Sequence, residues 1–169
     1  MKKIFFIVIT LVSLQSFSQQ AKYGNITGKG EYQSYISKDG TLFNVGDKIT
    51  IGSPSKTNQF SFIYIGNGIL TPITFIGAAW SNTEVTVKKI NILGNEDSGY
   101  EVLVKANNGG AMLNILLEKA INGGEIVTAS KISDEALSEL KKAKDKLDLG
   151  LITQEKYDSI KSKLSKLIK

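Results

Sequence analysis

Three short motifs in this sequence contain residue types that could do chemistry. Residues 24–29 (Gly-Asn-Ile-Thr-Gly-Lys) resemble a phosphate-binding loop, but the spacing is one residue short and Gly30 replaces the required hydroxyl. Residues 53–56 (Ser-Pro-Ser-Lys) match the Ser-x-x-Lys of acyl-transfer enzymes, which lies on a helix, whereas Pro54 here predicts a loop. Residues 95–97 (Asn-Glu-Asp) offer oxygens for calcium, but they fit no complete loop and predict a hairpin turn. We expect no catalytic site in these motifs.

The composition excludes several kinds of catalysis. The chain has no cysteine and no histidine, and all 21 basic residues are lysines. Without histidine there is no Ser-His-Asp triad and no common zinc site, and without cysteine there is no disulfide or thiolate ligand. Without arginine, bidentate capture of phosphate is lost. We predict no cofactor and no metal site. An enzyme would have to use groups such as a carboxylate pair for glycoside hydrolysis, and no spacing selects such a pair.

The net positive charge of the chain comes from its two ends. The net charge is +5, of which Lys2 and Lys3 supply two. From Lys131 onward there are ten lysines and seven acidic residues, so the segment between is neutral. A face that binds nucleic acid would need a larger basic excess. We therefore expect no nucleic-acid partner.

The N-terminus has the layout of a secretory signal peptide. Lys2 and Lys3 precede an apolar run over residues 4–14, and Ser16 and Ser18 occupy the small-x-small positions of a cleavage site. The run is shorter than the roughly 20 residues that a spanning helix needs. The sequence predicts cleavage after Ser18, a periplasmic or secreted protein, and no stable membrane span after cleavage.

The segment that follows predicts a β-rich domain over residues 19–129. β-Branched and aromatic residues alternate between Gly, Asn and Ser turns, which is typical of a small antiparallel barrel or sandwich. We predict a mainly β fold, an SH3-like or OB-like barrel by size, with a C-terminal α-hairpin. The predicted strands are 32–36, 47–51, 60–65, 84–93, 100–106, 112–117 and 125–127, with a helical turn at 118–123. The strand 84–93 is expected to break near the adjacent lysines at 88 and 89, and residues 73–80 form either a strand or a buried crossing.

Aromatic residues of this segment could line a ligand pocket. Within residues 60–65 the alternation places Phe60, Phe62 and Tyr64 on one face of a strand. Tyr64, Trp80 and Tyr100 could together line a carbohydrate or apolar pocket, and core packing is the alternative use of the same side chains.

Residues 130–169 predict two amphipathic helices. Ser133 is the expected N-cap of the first, and Gly150 supplies its left-handed C-terminal residue. Thr153 is the expected N-cap of the second. The short connection predicts an antiparallel hairpin. Apolar residues recur at helical spacing on both helices, so each presents an apolar stripe.

The hairpin resembles a known family. Residues 147–157 (Leu-Asp-Leu-Gly-Leu-Ile-Thr-Gln-Glu-Lys-Tyr), with Leu140 before them and Lys161, Lys163 and Leu164 after them, resemble the SHOCT (short C-terminal) domain. The resemblance covers roughly residues 134–168. It implies a two-helix hairpin that mediates oligomerisation. Lys156 departs from the family, which more often has an acidic residue there.

These observations predict an exported, non-enzymatic binding or structural protein whose hairpin self-associates or docks another protein. A small-molecule, lipid or glycan carrier using the β-barrel is the first alternative, and a hydrolase with a carboxylate pair is the second. The predicted contact residues are Leu140, Leu147, Tyr157, Ile160, Leu164 and Leu167.

Overall fold

The structure is a computed structural model that describes residues 19–168. The predicted signal peptide lies outside the described residues. In chain order the elements are β1 (Gln20–Lys22), β2 (Gly30–Tyr32), β3 (Ser34–Ile36), β4 (Leu42–Asn44), β5 (Lys48–Ile51), β6 (Gln59–Ile65), β7 (Thr74–Gly77), a 3-10 turn (Ala78–Trp80), β8 (Glu84–Asn95), β9 (Gly99–Asn107), β10 (Leu113–Leu116), α1 (Leu117–Asn122), β11 (Ile126–Val127), α2 (Ala129–Asp148) and α3 (Gln154–Leu164).

The strands form two sheets. The larger sheet has the order β11-β5-β8-β9-β10-β6-β7, with β2 also paired to β8, and all of its pairings are antiparallel. It curls as a half-barrel. The smaller sheet has the order β1-β3-β4, with β1 parallel to β3. The predicted mainly β class with C-terminal helices is confirmed.

The β8–β9 hairpin is the centre of the core. Its inward residues alternate, as expected of strands that bury one face. Val85, Val87, Ile90 and Ile92 on β8 are almost completely buried. The predicted break near residues 88 and 89 is confirmed by a register shift between Val87 and Lys89, which restores burial to Ile90.

The predicted strand 32–36 is two strands. The chain leaves the larger sheet after Tyr32 and enters the smaller sheet at Ser34. At Gln33 the N–H donates to the carbonyl of Gln19, and the carbonyl accepts from Val45 N–H. The sequence did not predict β1 or β4, whose three-residue lengths leave almost no alternation to detect.

The predicted alternation of β6 is wrong. Phe60 and Ile63 are buried, at 1% and 0% exposure, whereas Phe62 and Tyr64 are only partly buried. The pairing of β6 with β7 shifts register between Gln59 and Tyr64. A bulge therefore moves Phe60 onto the same side as Ile63, because one extra residue inverts the alternation.

The start of the first C-terminal helix also differs from the prediction. α2 begins at Ala129, and its N-cap is Thr128 instead of Ser133. The Thr128 hydroxyl accepts from the Lys131 N–H at 3.2 Å and donates to Asp39 at 2.7 Å. The contact with Asp39, 89 positions away in sequence, fixes Thr128 as the cap. Local sequence cannot show such a contact.

The turn between α2 and α3 follows the predicted pattern. Gly150 has a positive φ of +68° after the last helical residues. Its N–H donates to the Leu147 carbonyl, and the Leu151 N–H donates to the Lys146 carbonyl, which together make a Schellman motif. Thr153 caps α3 by accepting from the Lys156 N–H at 3.3 Å.

Candidate functional site

A groove of about 470 Å³ lies beside β3, β9 and α1. It draws residues from the loop after β1, from the β8–β9 turn and from the end of β10. Concave sites that combine apolar side chains with a few polar groups are typical of small-molecule binding. The lining residues are Tyr23, Gly24, Ile26, Tyr35, Glu96, Tyr100, Glu101, Val102, Leu116, Glu118 and Lys119.

Tyr35 and Glu118 form the innermost polar pair of the groove. The hydroxyl of the fully buried Tyr35 donates to Glu118 Oε1 at 2.7 Å, and the Lys38 N–H donates to the same oxygen at 3.1 Å. Burial first, and then the hydrogen bond to the Glu118 carboxylate and its charge, raise the pKa of Tyr35. Tyr35 therefore remains a hydrogen-bond donor across the physiological pH range.

The rest of the lining combines carboxylates and aromatic rings with aliphatic side chains and one lysine. Glu101 is paired with Lys119, with 2.5 Å between the ammonium nitrogen and Oε1. Glu96 lies in the β8–β9 turn and is exposed. Three carboxylates thus share the lining with one ammonium group, beside three tyrosine rings. The groove suits a ligand with an apolar face and hydrogen-bond donors, because carboxylates accept and aromatic rings stack.

The three aromatic residues predicted to form a pocket are not brought together in this groove. Tyr100 lines it, but Tyr64 and Trp80 do not belong to its lining. Tyr64 makes an edge-to-face contact with Phe75, with 5.9 Å between ring centroids. Trp80 packs against the core. Burial first, and then the charge of Glu101, raise the pKa of Tyr64.

A second polar cluster surrounds the buried Glu125. This side chain is 0% exposed, yet both of its oxygens are occupied. Oε1 accepts from the Ser55 hydroxyl and from the N–H groups of Ser55 and Ser61, and Oε2 accepts from the Phe62 N–H at 2.9 Å. Consecutive N–H groups of a regular strand point in opposite directions. Since Ser61 and Phe62 both donate to one carboxylate, Glu125 holds the β6 bulge.

The sequence did not indicate this cluster, although Ser55 belongs to the Ser-x-x-Lys match. The Ser55 hydroxyl donates to the buried carboxylate, and its oxygen lies 2.8 Å from the hydroxyl oxygen of Ser61. These contacts hold the loop before β6 against β11, so we interpret them as structural. The turn at residues 95–97 is likewise structural, because Asn95 Oδ1 accepts from the Ser98 N–H and hydroxyl.

Five of the six predicted contact residues belong to α2 or α3, and Leu167 follows the end of α3. Leu140 and Tyr157 line one shallow depression, Ile160 lines a second, and Leu164 and Leu167 line a third. Leu147 is partly buried. The structure therefore places the six residues along one helix pair but distributes them over more than one side of it.

Apolar side chains of α2 and of the segment after α3 are exposed to solvent, whereas the apolar side chains of α3 itself are partly buried. On α2 the buried residues are Ala136 and Ala143, and α3 has none. Leu137 is 55% exposed and Leu167 is 46% exposed. Lys144 extends over the ring of Tyr157, with 5.9 Å from the ammonium nitrogen to the ring centroid.

The chain matches no protein-family model, no curated protein and no solved structure. Within residues 19–168 no group of three or more acidic side chains is arranged to hold a metal ion. The helices of this part of the chain are each too short or too polar to cross a membrane.

Proposed function

We propose that this chain is an exported, non-enzymatic binding or structural protein that assembles through its C-terminal helices. In this proposal the β-rich part is a small barrel of SH3-like or OB-like type, and α2 and α3 form a SHOCT-like antiparallel hairpin. The hairpin pairs with the hairpin of a second copy.

The burial of the two helices supports the proposal most strongly. A helix of 20 residues that packs well on its own domain would bury leucines, but α2 buries two alanines. Its neighbour α3 buries none of its apolar residues. Each large apolar side chain that a partner removes from water would contribute about 1.5–3 kcal/mol to association.

The charges of α2 favour a second copy as the partner. The N-terminal part of the helix, up to residue 139, carries Asp134, Glu135 and Glu139 and one lysine, Lys131. The second half carries four lysines at positions 141, 142, 144 and 146 against two aspartates at 145 and 148. Two antiparallel copies would bring the acidic half of each α2 against the basic half of the other, which fixes their register.

The assembly is tested by the solution mass of residues 19–169, measured by light scattering after gel filtration. We expect a mass of at least two chains. Ile160→Asp and Leu137→Asp should each raise the dissociation constant about a hundredfold, because each places a charge in the apolar contact. Leu42→Asp is the matched control, since Leu42 on β4 is 47% exposed and distant in sequence.

Circular dichroism separates loss of association from loss of folding. The helix signal of Leu137→Asp should match the wild type, because this leucine is mostly exposed already. The proposal would be overturned if the wild type had the mass of a single chain. It would also be overturned if both variants had the same oligomeric mass as the wild type.

The groove supports a second candidate function, the carriage of a small molecule. Its volume of about 470 Å³ lies within the usual range for ligand sites, and three tyrosines and three carboxylates share its lining. Native mass spectrometry of the freshly purified protein should then show an added mass that denaturation releases. Tyr100→Ala should abolish it, whereas Phe75→Ala, outside the groove lining, should not. An unliganded spectrum for the wild type would count against carriage.

A further inference from the structure

The loop between β6 and β7 carries the most exposed large apolar side chains of the described residues. Ile69 is 89% exposed and Leu70 is 86% exposed, at the tip of the hairpin. Ile73 and Phe75, on the way back into the sheet, are 51% and 39% exposed. The exposure of two adjacent branched side chains to water is unfavourable in free energy unless an apolar surface covers them.

The backbone of this loop is hydrogen-bonded internally. The side-chain oxygen of Asn67 accepts from the N–H groups of residues 69–71 at 2.9–3.2 Å. The carbonyl of Thr71 accepts from the N–H groups of residues 67 and 68. Pro72 has no N–H. Every N–H from Asn67 to Pro72 is therefore paired or missing, although water could have satisfied each one at this exposed position.

The base of the loop holds it in one shape. Gly66 has a φ of +95°, and any side chain there would collide with the carbonyl of Pro72. The Gly66 carbonyl accepts from the Asn114 side-chain amide at 2.8 Å, which fastens the loop to β10. Ile69 and Leu70 are thus presented on a fixed support and not on a flexible linker.

The surrounding sequence contains no charge. Residues 57–83, from before β6 to after β7, contain no Asp, Glu, Lys, Arg or His. This is the longest stretch of the chain without a charged side chain. The exposed apolar turn after α2 provides a contrast. Leu149 and Leu151 are 74% and 68% exposed, but the charged residues Lys146 and Asp148 lie in the last helical turn before them.

We propose that residues 66–73 form a membrane-insertion loop that places Ile69 and Leu70 at the boundary between lipid headgroups and acyl chains. A bilayer removes water from the backbone, so it favours a loop whose N–H groups are already paired. It also favours a protruding apolar tip with no charge to desolvate. The absence of charge indicates zwitterionic lipid as the ligand. The proposal does not depend on the C-terminal helices.

The first measurement is sedimentation of residues 19–169, which include every described residue, with phosphatidylcholine vesicles. We expect the wild type to bind, and Ile69→Ser with Leu70→Ser to lower the partition coefficient about tenfold or more. Leu149→Ser with Leu151→Ser is the matched control, because it removes a similar exposed apolar area from a charged turn. This control should bind like the wild type.

A fluorescent label locates the contact. Because the chain has no cysteine, Leu70→Cys provides one site for an environment-sensitive dye, and Leu149→Cys provides the control site. Vesicles should shift the emission of the Leu70 label to the blue and leave the Leu149 label unchanged, at low and high salt alike. Wild-type protein that stays in the supernatant, binding retained by the double serine variant, or binding lost at high salt would overturn the proposal.

Discussion

Glu125 shows how much a single residue can depend on distant partners. A carboxylate at 0% exposure is strongly unfavourable unless donors replace water, and here four donors do so. The donors belong to Ser55, Ser61 and Phe62, more than 60 positions earlier in the chain. Glu125 therefore connects the loop before β6, the β6 bulge and the entry to β11.

Replacing Glu125 by glutamine should lower the free energy of unfolding by about 2–3 kcal/mol. A glutamine side chain has only one acceptor oxygen. Its NH₂ group must therefore face an N–H that, in the wild type, donates to the other carboxylate oxygen of Glu125. Urea unfolding followed by circular dichroism measures the change. Glu84→Gln is the control, because that side chain is 61% exposed in its pair with Lys48. Equal stability of the two variants would show that the Glu125 contacts contribute little.

At the scale of elements, short polar contacts position the ends of strands and helices. Asp39, in the turn between β3 and β4, accepts from the Ser37 hydroxyl, the Thr41 N–H and the Thr128 hydroxyl. The last contact joins the smaller sheet to the start of α2. Burial alone would raise the pKa of Asp39, but hydrogen bonds from Ser37, Thr128 and Thr41 outweigh it and hold the pKa below its ordinary 3.8.

The lowered pKa predicts a pH-dependent contribution to stability. Ionised Asp39 stabilises the fold fully at pH values well above 3.8, and this contribution is lost as the pH falls below 3.8 through the folded-state pKa. Asp39→Asn should therefore be less stable than the wild type at neutral pH, and the difference should shrink in acid. Thermal unfolding between about pH 7 and pH 2.5 tests this, with Asp97→Asn, in the β8–β9 turn, as the control. A difference that is constant with pH would contradict the prediction.

Elements with strong local patterns were predicted well. The strands β5, β8, β9 and β10 follow from alternation, and the break in β8 follows from adjacent lysines in the pattern. The Gly150 and Thr153 caps follow from residue type, because few residues accept a positive φ or cap a helix with a hydroxyl. The prediction failed where three-residue strands left no periodicity, at β1 and β4, and where a bulge inverted β6.

At the scale of the whole molecule, the groove, the β6–β7 loop and the C-terminal helices lie in different regions of the chain. The half-barrel positions the groove at one place and the β6–β7 loop at another, while α2 and the segments after α2 and α3 leave apolar side chains in solvent. Association through the helices and insertion through the loop use different surfaces, so the variants proposed for each should leave the other unaffected. The SHOCT resemblance and the export of the chain remain predictions.

The sequence by itself determined the mainly β class with C-terminal helices, most of the longer strands, and the turn between α2 and α3. These depend on periodicity and on conformational preferences that act over a few residues. The tertiary structure alone decided the cap at Thr128, the buried carboxylate of Glu125, the grouping of Tyr35 with Glu118, and the exposure of Ile69 and Leu70. Each depends on contacts between segments distant in sequence, or on their absence, and local pattern contains no information about which segments meet.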